Sequence, residues 1–226
     1  MSELNMTIQS GVTRVLHTAG KYCEGDIVIK AEGGDYDNGY NEGLEAGKKA
    51  EYDKFWDTWQ QNGNRADYVA CFAGVAWTDE MYNPKYDIIA SMHAGEMFKY
   101  SPITNTKVPI IIDNTSYTSS VFHGCTKLVT IPSIKVTERM VTFGGWFTDC
   151  GALVDIHFTE DSVIAKNLSF SASSMLSVES VNSIINALKD LTGATAQTLT
   201  FHATVGGKLT DEQKATISAK NWTLVY

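Results

Sequence analysis

Apolar residues return along this chain at intervals near 25, a period far longer than that of a helix or a strand. FHGCTKLVTI occupies residues 122–131 and FTDCGALVDI occupies 147–156. Phe122, Cys125, Leu128 and Ile131 map onto Phe147, Cys150, Leu153 and Ile156 at a constant shift of 25. A degenerate copy follows, with Phe170, Ser173 and Leu176 at a shift of 23 from Phe147, Cys150 and Leu153, small Ser standing for small Cys. The extra residues of the first unit are expected near TFGG at 142–145, a turn-like insertion.

Downstream, Leu176, Leu199 and Trp222 are 23 apart, as are Val178, Phe201 and Leu224. TLTFH and WTLVY alternate apolar and polar residues, the period of half-buried strands. Upstream, Ile88 with Ile111 and Ile89 with Ile112 share the 23-residue interval and mark two earlier units. Two stretches have helical period instead. SVESVNSIINALKDLTG sets Val181, Ile184, Ile185, Leu188 and Leu191 on one stripe, with Gly193 as the stop. In KLTDEQKATISAKN, Thr210 and Gln213 form a capping box, and Ile217 and Ala215 face inward. A single unit cannot bury its own apolar face, whereas stacked units pair their strands and share one long core.

The spacing FxxCxxLxxIxIP resembles the irregular leucine-rich repeats of the BspA type, and FHGCTKLVTIPSI, with Pro132, is a close match. The resemblance covers roughly residues 98–176. The tail from SVNSII onward is similar to the C-terminal cap of such repeats in phage and prophage proteins, although helices replace the usual short turns after Leu176. The resemblance implies an α/β fold. That fold would be a leucine-rich-repeat solenoid of stacked short strands with C-terminal helices, preceded by a small β unit and a helix. Its core would be Phe122, Cys125, Leu128, Ile131, Phe147, Cys150, Leu153, Ile156, Phe170, Leu176, Leu199, Phe201, Trp222 and Leu224.

Three regions are expected: a small β assembly element at 1–33, a helical stem or linker at 34–63, and the repeat domain with a strand–helix–strand cap at 64–226. GVTRVLHTAGKYCEGDIVIKAE in the first resembles an element of phage tail and baseplate proteins. In the second, Gly39, Gly43 and Gly47 form one helical row, beside Tyr36, Tyr40 and Leu44. Each glycine costs a helix about 1 kcal/mol relative to alanine. Close approach of another helix offsets that cost, so this row is the candidate oligomer contact; the alternative is a helix packed on its own repeat domain, with the glycines beneath bulky side chains.

The balance of 18 basic against 26 acidic residues, net charge -8, argues against nucleic acid as a partner. No stretch approaches a membrane span, and the start MSELNMTIQSGVTRV lacks the pattern of a secretory signal. The expected location is therefore the virion, or the cytoplasm before assembly, with no membrane insertion. Cys23, Cys71, Cys125 and Cys150 lack metal-ligand spacing and are expected to be buried and reduced.

The chain carries no phosphate loop, no G-x-S-x-G and no H-E-x-x-H. Adjacent carboxylates Glu160 and Asp161, and the pair Glu138 and Arg139, read as solvated turns. No catalytic residue, cofactor or metal ligand is expected. Weak candidates for ligand contact are Trp146, which follows a glycine pair, and His157 and His202 on strand segments.

The expected function is a non-enzymatic phage or prophage structural protein presenting the repeat domain to a host-surface glycan or protein. Its expected partners are other copies of itself, with a trimer among the forms considered, or other virion proteins. A bacterial surface adhesion module binding host protein or carbohydrate is the alternative, and an enzyme is a distant third.

The stem makes an assembly prediction. The full chain should run as a homo-oligomer in light scattering after size exclusion, and removal of residues 1–62 should leave a folded monomer. A monomeric full chain at tens of micromolar overturns it.

Overall fold

The computed structural model describes residues 70–74, 78, 79, 82–91, 93–113 and 117–226. The expected β element at 1–33 and stem at 34–63, including the candidate oligomer contact from Tyr36 to Gly47, lie outside the described residues.

The described chain is mixed α/β, with parallel strands in two sheets and few helices. Strands β1 (Ile88–Ala90), β2 (Ile110–Ile112), β3 (Thr130–Val136) and β4 (Asp155–Phe158) pair in chain order. Strands β5 (Leu168–Phe170), β6 (Gln197–Phe201) and β7 (Trp222–Val225) do the same in the second sheet. Helix α1 (Val178–Ala187) follows β5, α2 (Ala203–Gly206) follows β6, and α3 (Asp211–Ala219) precedes β7. Parallel neighbours need a long connection between them, and each connection here runs through turns or these helices.

One column of rings runs from turns outside the strands of the first sheet to β5 and β6 of the second. Phe72, Phe98, Phe122, Phe147, Phe170 and Phe201 are all buried, and each stacks on the next. Successive centroids lie 5.0, 5.4, 5.6, 4.5 and 6.1 Å apart, with planes inclined by 23° or less. Offset stacks of this kind contribute about 0.5–1.5 kcal/mol each beyond their burial. Beside the column lies a second one of small residues. The Cys125 thiol donates to the Phe98 carbonyl at 2.9 Å, the Cys150 thiol to Phe122 at 3.1 Å, and the Ser173 hydroxyl to Cys150 at 3.0 Å. Each donor therefore ties its own unit to the one before, which explains why Ser can stand where Cys stood.

The turns that carry these rings have a repeated backbone. Two residues before the ring, Ala70, Glu96, Ser120 and Gly145 have φ of 53°, 58°, 59° and 70°. Two residues after it, Gly74, Tyr100, Gly124 and Asp149 have φ of 89°, 60°, 73° and 59°. Backbone bonds run between successive turns, as in Phe72 N–H to Met97 O at 2.8 Å, Phe98 to Val121 at 2.8 Å and Phe122 to Trp146 at 3.2 Å. The left-handed conformation is held at eight places, only three of them glycine, so tertiary hydrogen bonding outweighs local preference.

The register differs from the 23-residue reading at three places. Ile88 pairs with Ile110 and Ala90 with Ile112, so Ile88 does not oppose Ile111, nor Ile89 Ile112. A one-residue slip would turn the buried Ile88 and Ala90 outward. In the second sheet Leu168 pairs with Leu199 and Phe170 with Phe201. Leu176 and Val178 are therefore not on this ladder; Leu176 is buried in the turn before α1, and Val178 is an exposed residue at its start. Leu199 pairs with Leu224, not Trp222, which opposes Gln197. Leu224 is half-buried against the core.

The helices correct two further details. Val181, Ile184, Ile185, Leu188 and Leu191 are buried, but α1 ends at Ala187 with Leu188 as its cap. Leu188 turns extended to bridge Ile164, so Gly193 at φ 78° serves a later turn. The Thr210–Gln213 capping box is formed, and Ile217 is buried, but Ala215 is exposed. Among the described residues no helix is long and apolar enough to cross a membrane.

The first sheet ends against α1 by side-chain substitution for a strand. Ser180 Oγ accepts from Ile156 N–H at 2.9 Å and donates to Val154 O at 3.1 Å. Ser183 Oγ accepts from Phe158 N–H at 2.7 Å and donates to Phe158 O at 3.1 Å. Ser162 does the same for Val136 N–H and Ile134 O. Buried edge groups that would otherwise go unpaired are thereby satisfied. Pro132, which has no N–H to donate, sits in the irregularity of β3 between Ile131 and Ile134.

Two substitutions test this packing in thermal and chemical unfolding. Leu153→Ala should cost about 2–5 kcal/mol, the range for truncating a fully buried leucine. Ser180→Ala should cost about 1–3 kcal/mol, because it strands the Ile156 N–H in the core. A loss below about 0.5 kcal/mol for either would contradict its assigned contact.

Candidate functional site

Around the rings the chain buries residues in adjacent pairs, Met97 with Phe98 and Val121 with Phe122, and leaves their neighbours nearer the surface. In the segments 94–100 and 117–124 the outward set is aromatic and charged. Gly95 N–H bonds to Tyr117 O at 3.0 Å, Glu96 to Ser119 at 2.9 Å and Tyr100 to His123 at 2.8 Å, which locks the two segments side by side. Phe98 and Phe122 point into the core between them.

Tyr100 is 53% exposed and Tyr117 is 40% exposed. Each lies against a glycine. A Cβ on Gly124 would sit 2.2 Å from Tyr100 Cδ1, and one on Gly95 would sit 2.0 Å from Tyr117 Cε1. No other residue type admits such an approach. The Tyr100 hydroxyl meets His123 Nε2 at 3.3 Å, and the two rings are 5.3 Å apart and nearly perpendicular. Lys99 Nζ bonds Glu96 at 2.7 Å and lies 5.6 Å from the centre of the Tyr100 ring. The Glu96 hydrogen bond raises the Lys99 pKa, partly opposed by desolvation. The result is a surface with two ring faces, one cation, one carboxylate and one imidazole.

The weak ligand candidates from the sequence are scattered. Trp146 is 1% exposed, packs edge-on to Phe122, Phe143 and Phe147, and donates its indole N–H to Thr118 O. It is a core residue, not a ligand contact, because that buried indole already has its acceptor. His157 is exposed on β4. His202 caps α2, its Nδ1 accepting from Thr204 N–H at 3.1 Å. His157 lies on the first sheet, whereas His202 lies just beyond β6 of the second. Tyr100 and Tyr117 escaped the sequence reading, although the alignment of FKYS with FHGC sets Tyr100 at the place of Gly124.

A second depression of about 170 Å³ opens between the β5–α1 turn and the α2–α3 connection. Met175, Val178, Val205 and Leu209 line it, with Lys208 and Gln213 among its polar residues. Its walls are mainly aliphatic, without aromatic faces. The paired charges elsewhere read as solvated surface: Glu138 bonds Lys189 at 2.6 Å and Asp161 bonds Lys135, each carboxyl pKa being lowered by its partner. Among the described residues no group of three His, Cys, Asp or Glu could hold a metal ion.

Cys125 and Cys150 are free and buried. Burial pushes the Cys125 thiol far above its ordinary range, with a further rise from neighbouring Cys150, and pushes the Cys150 thiol up to about 12. Cys71 is disulfide-bonded, so the expectation of reduced cysteines fails there. No protein-family model, curated protein or solved structure matches the chain.

The thiol shifts predict an order of reactivity. At pH 8 the folded chain should leave Cys125 and Cys150 unlabelled by iodoacetamide, since only a thiolate attacks. Denaturant should expose both. Labelling of either in the folded protein at the rate of a free cysteine contradicts their burial.

Proposed function

We propose that this chain is a non-enzymatic binding protein of a phage or prophage particle, presenting a leucine-rich-repeat solenoid to a host surface. The repeat reading draws support from the parallel strand order and from the ring column at intervals of 23 to 31 residues. The observation that carries the binding role is the Tyr100–Tyr117 surface, where two large aromatic rings stay outside a core that has accepted every phenylalanine of the column. Exposed aromatic side chains beside polar ones are a common composition of recognition surfaces. The particle assignment rests on the BspA-type resemblance of FHGCTKLVTIPSI and on the tail-protein resemblance of GVTRVLHTAGKYC. Fold alone does not fix function, so both parts need a direct test.

Electron microscopy of a phage lysate with antibody against this chain provides it. Labelled tails or baseplates are expected, together with binding of the purified chain to intact host cells. Labelling confined to the surface of uninfected cells would replace this reading with that of a bacterial adhesion module.

A further inference from the structure

We propose that Tyr100 and Tyr117, with Lys99, Glu96 and His123 around them, form a binding site for a neutral pyranose of a cell-surface glycan. This deepens the proposed binding role and rests on it.

The first argument is the residue that occupies a shared backbone place. Tyr100 has φ of 60°, where two of the three other turns carry glycine. Hydrogen bonds between the turns hold that conformation, so the fold does not require a tyrosine there. The ring is nonetheless kept at the surface, 53% exposed.

The second argument is geometry. Gly124 and Gly95 let the two rings lie against the backbone, and the paired segments hold them in fixed relation. Rings fixed this way lose little freedom on binding, which favours weak, repeated contacts.

The third is chemistry. A pyranose presents a face of C–H groups, which packs on an aromatic ring, and a rim of hydroxyls that both donate and accept. Lys99 supplies a donor, Glu96 an acceptor, and the His123 ring supplies either. Lys99 and Glu96 already neutralise each other at 2.7 Å, so the site has no spare charge for a phosphate or carboxylate. The net charge of -8 further disfavours an acidic sugar.

The test measures binding of maltotriose, lactose and chitotriose to the full chain by NMR titration, beside Tyr100→Gly and Tyr117→Ala. At least one saccharide should bind at millimolar concentration or below, and each variant should weaken it about tenfold or more. Tyr100→Gly should melt at or above the temperature of the parent, because glycine relieves the left-handed backbone. A lower melting temperature with unchanged binding would assign Tyr100 a covering role over Gly124 and overturn the site. Equal affinity in both variants would overturn it as well. If none of the three saccharides binds while host cells and particles are labelled, the ligand class is wrong and the particle role stands.

Discussion

The stacking of one phenylalanine on the next is the constraint from which the rest of the structure follows. A ring must find a partner above and below it at about the thickness of a strand pair. That condition sets the offset between successive turns, and the turns in turn set which residues of β1 to β4 face inward. Where the sheet breaks after β4, the column does not: Phe147 and Phe170 lie 4.5 Å apart across the break. The core is thus continuous although the hydrogen-bonded ladder is not.

The break itself is made possible by serine. A buried strand edge needs donors and acceptors in alternation, and a hydroxyl is both. Ser180 and Ser183 project from α1 onto β4 and take the place of a neighbouring strand. The helix can then cover the edge without leaving polar groups unpaired. The same substitution on a smaller scale, Ser173 for Cys, keeps the interior tie to the preceding unit.

A scaffold so regular leaves its outward positions free to vary. The turn backbone tolerates Gly74, Tyr100, Gly124 and Asp149 at one structural place because the fold, not the side chain, imposes φ there. Variation at such positions changes the surface and spares the core. The Tyr100–Tyr117 surface occupies such outward positions.

The sequence by itself determined much of the interior. The matching places of Phe122, Cys125, Leu128 and Ile131 with Phe147, Cys150, Leu153 and Ile156 are legible because volume and polarity in a stacked core leave few alternatives, and all eight are buried. The capping box at Thr210 was legible too, since its chemistry is local. Pairing register was not, because Ile88, Ile89, Ile110, Ile111 and Ile112 offer equal side chains for two registers and only burial of alternate residues selects one. The second sheet was misaligned for a related reason: the 31-residue step from Phe170 to Phe201 contains a helix, which no fixed period can anticipate. Trp146 and Tyr100 show the same limit at the surface. Whether an aromatic ring faces core or solvent depended on acceptors and glycines brought from other turns, Thr118 for one and Gly124 for the other, and only the folded chain places those.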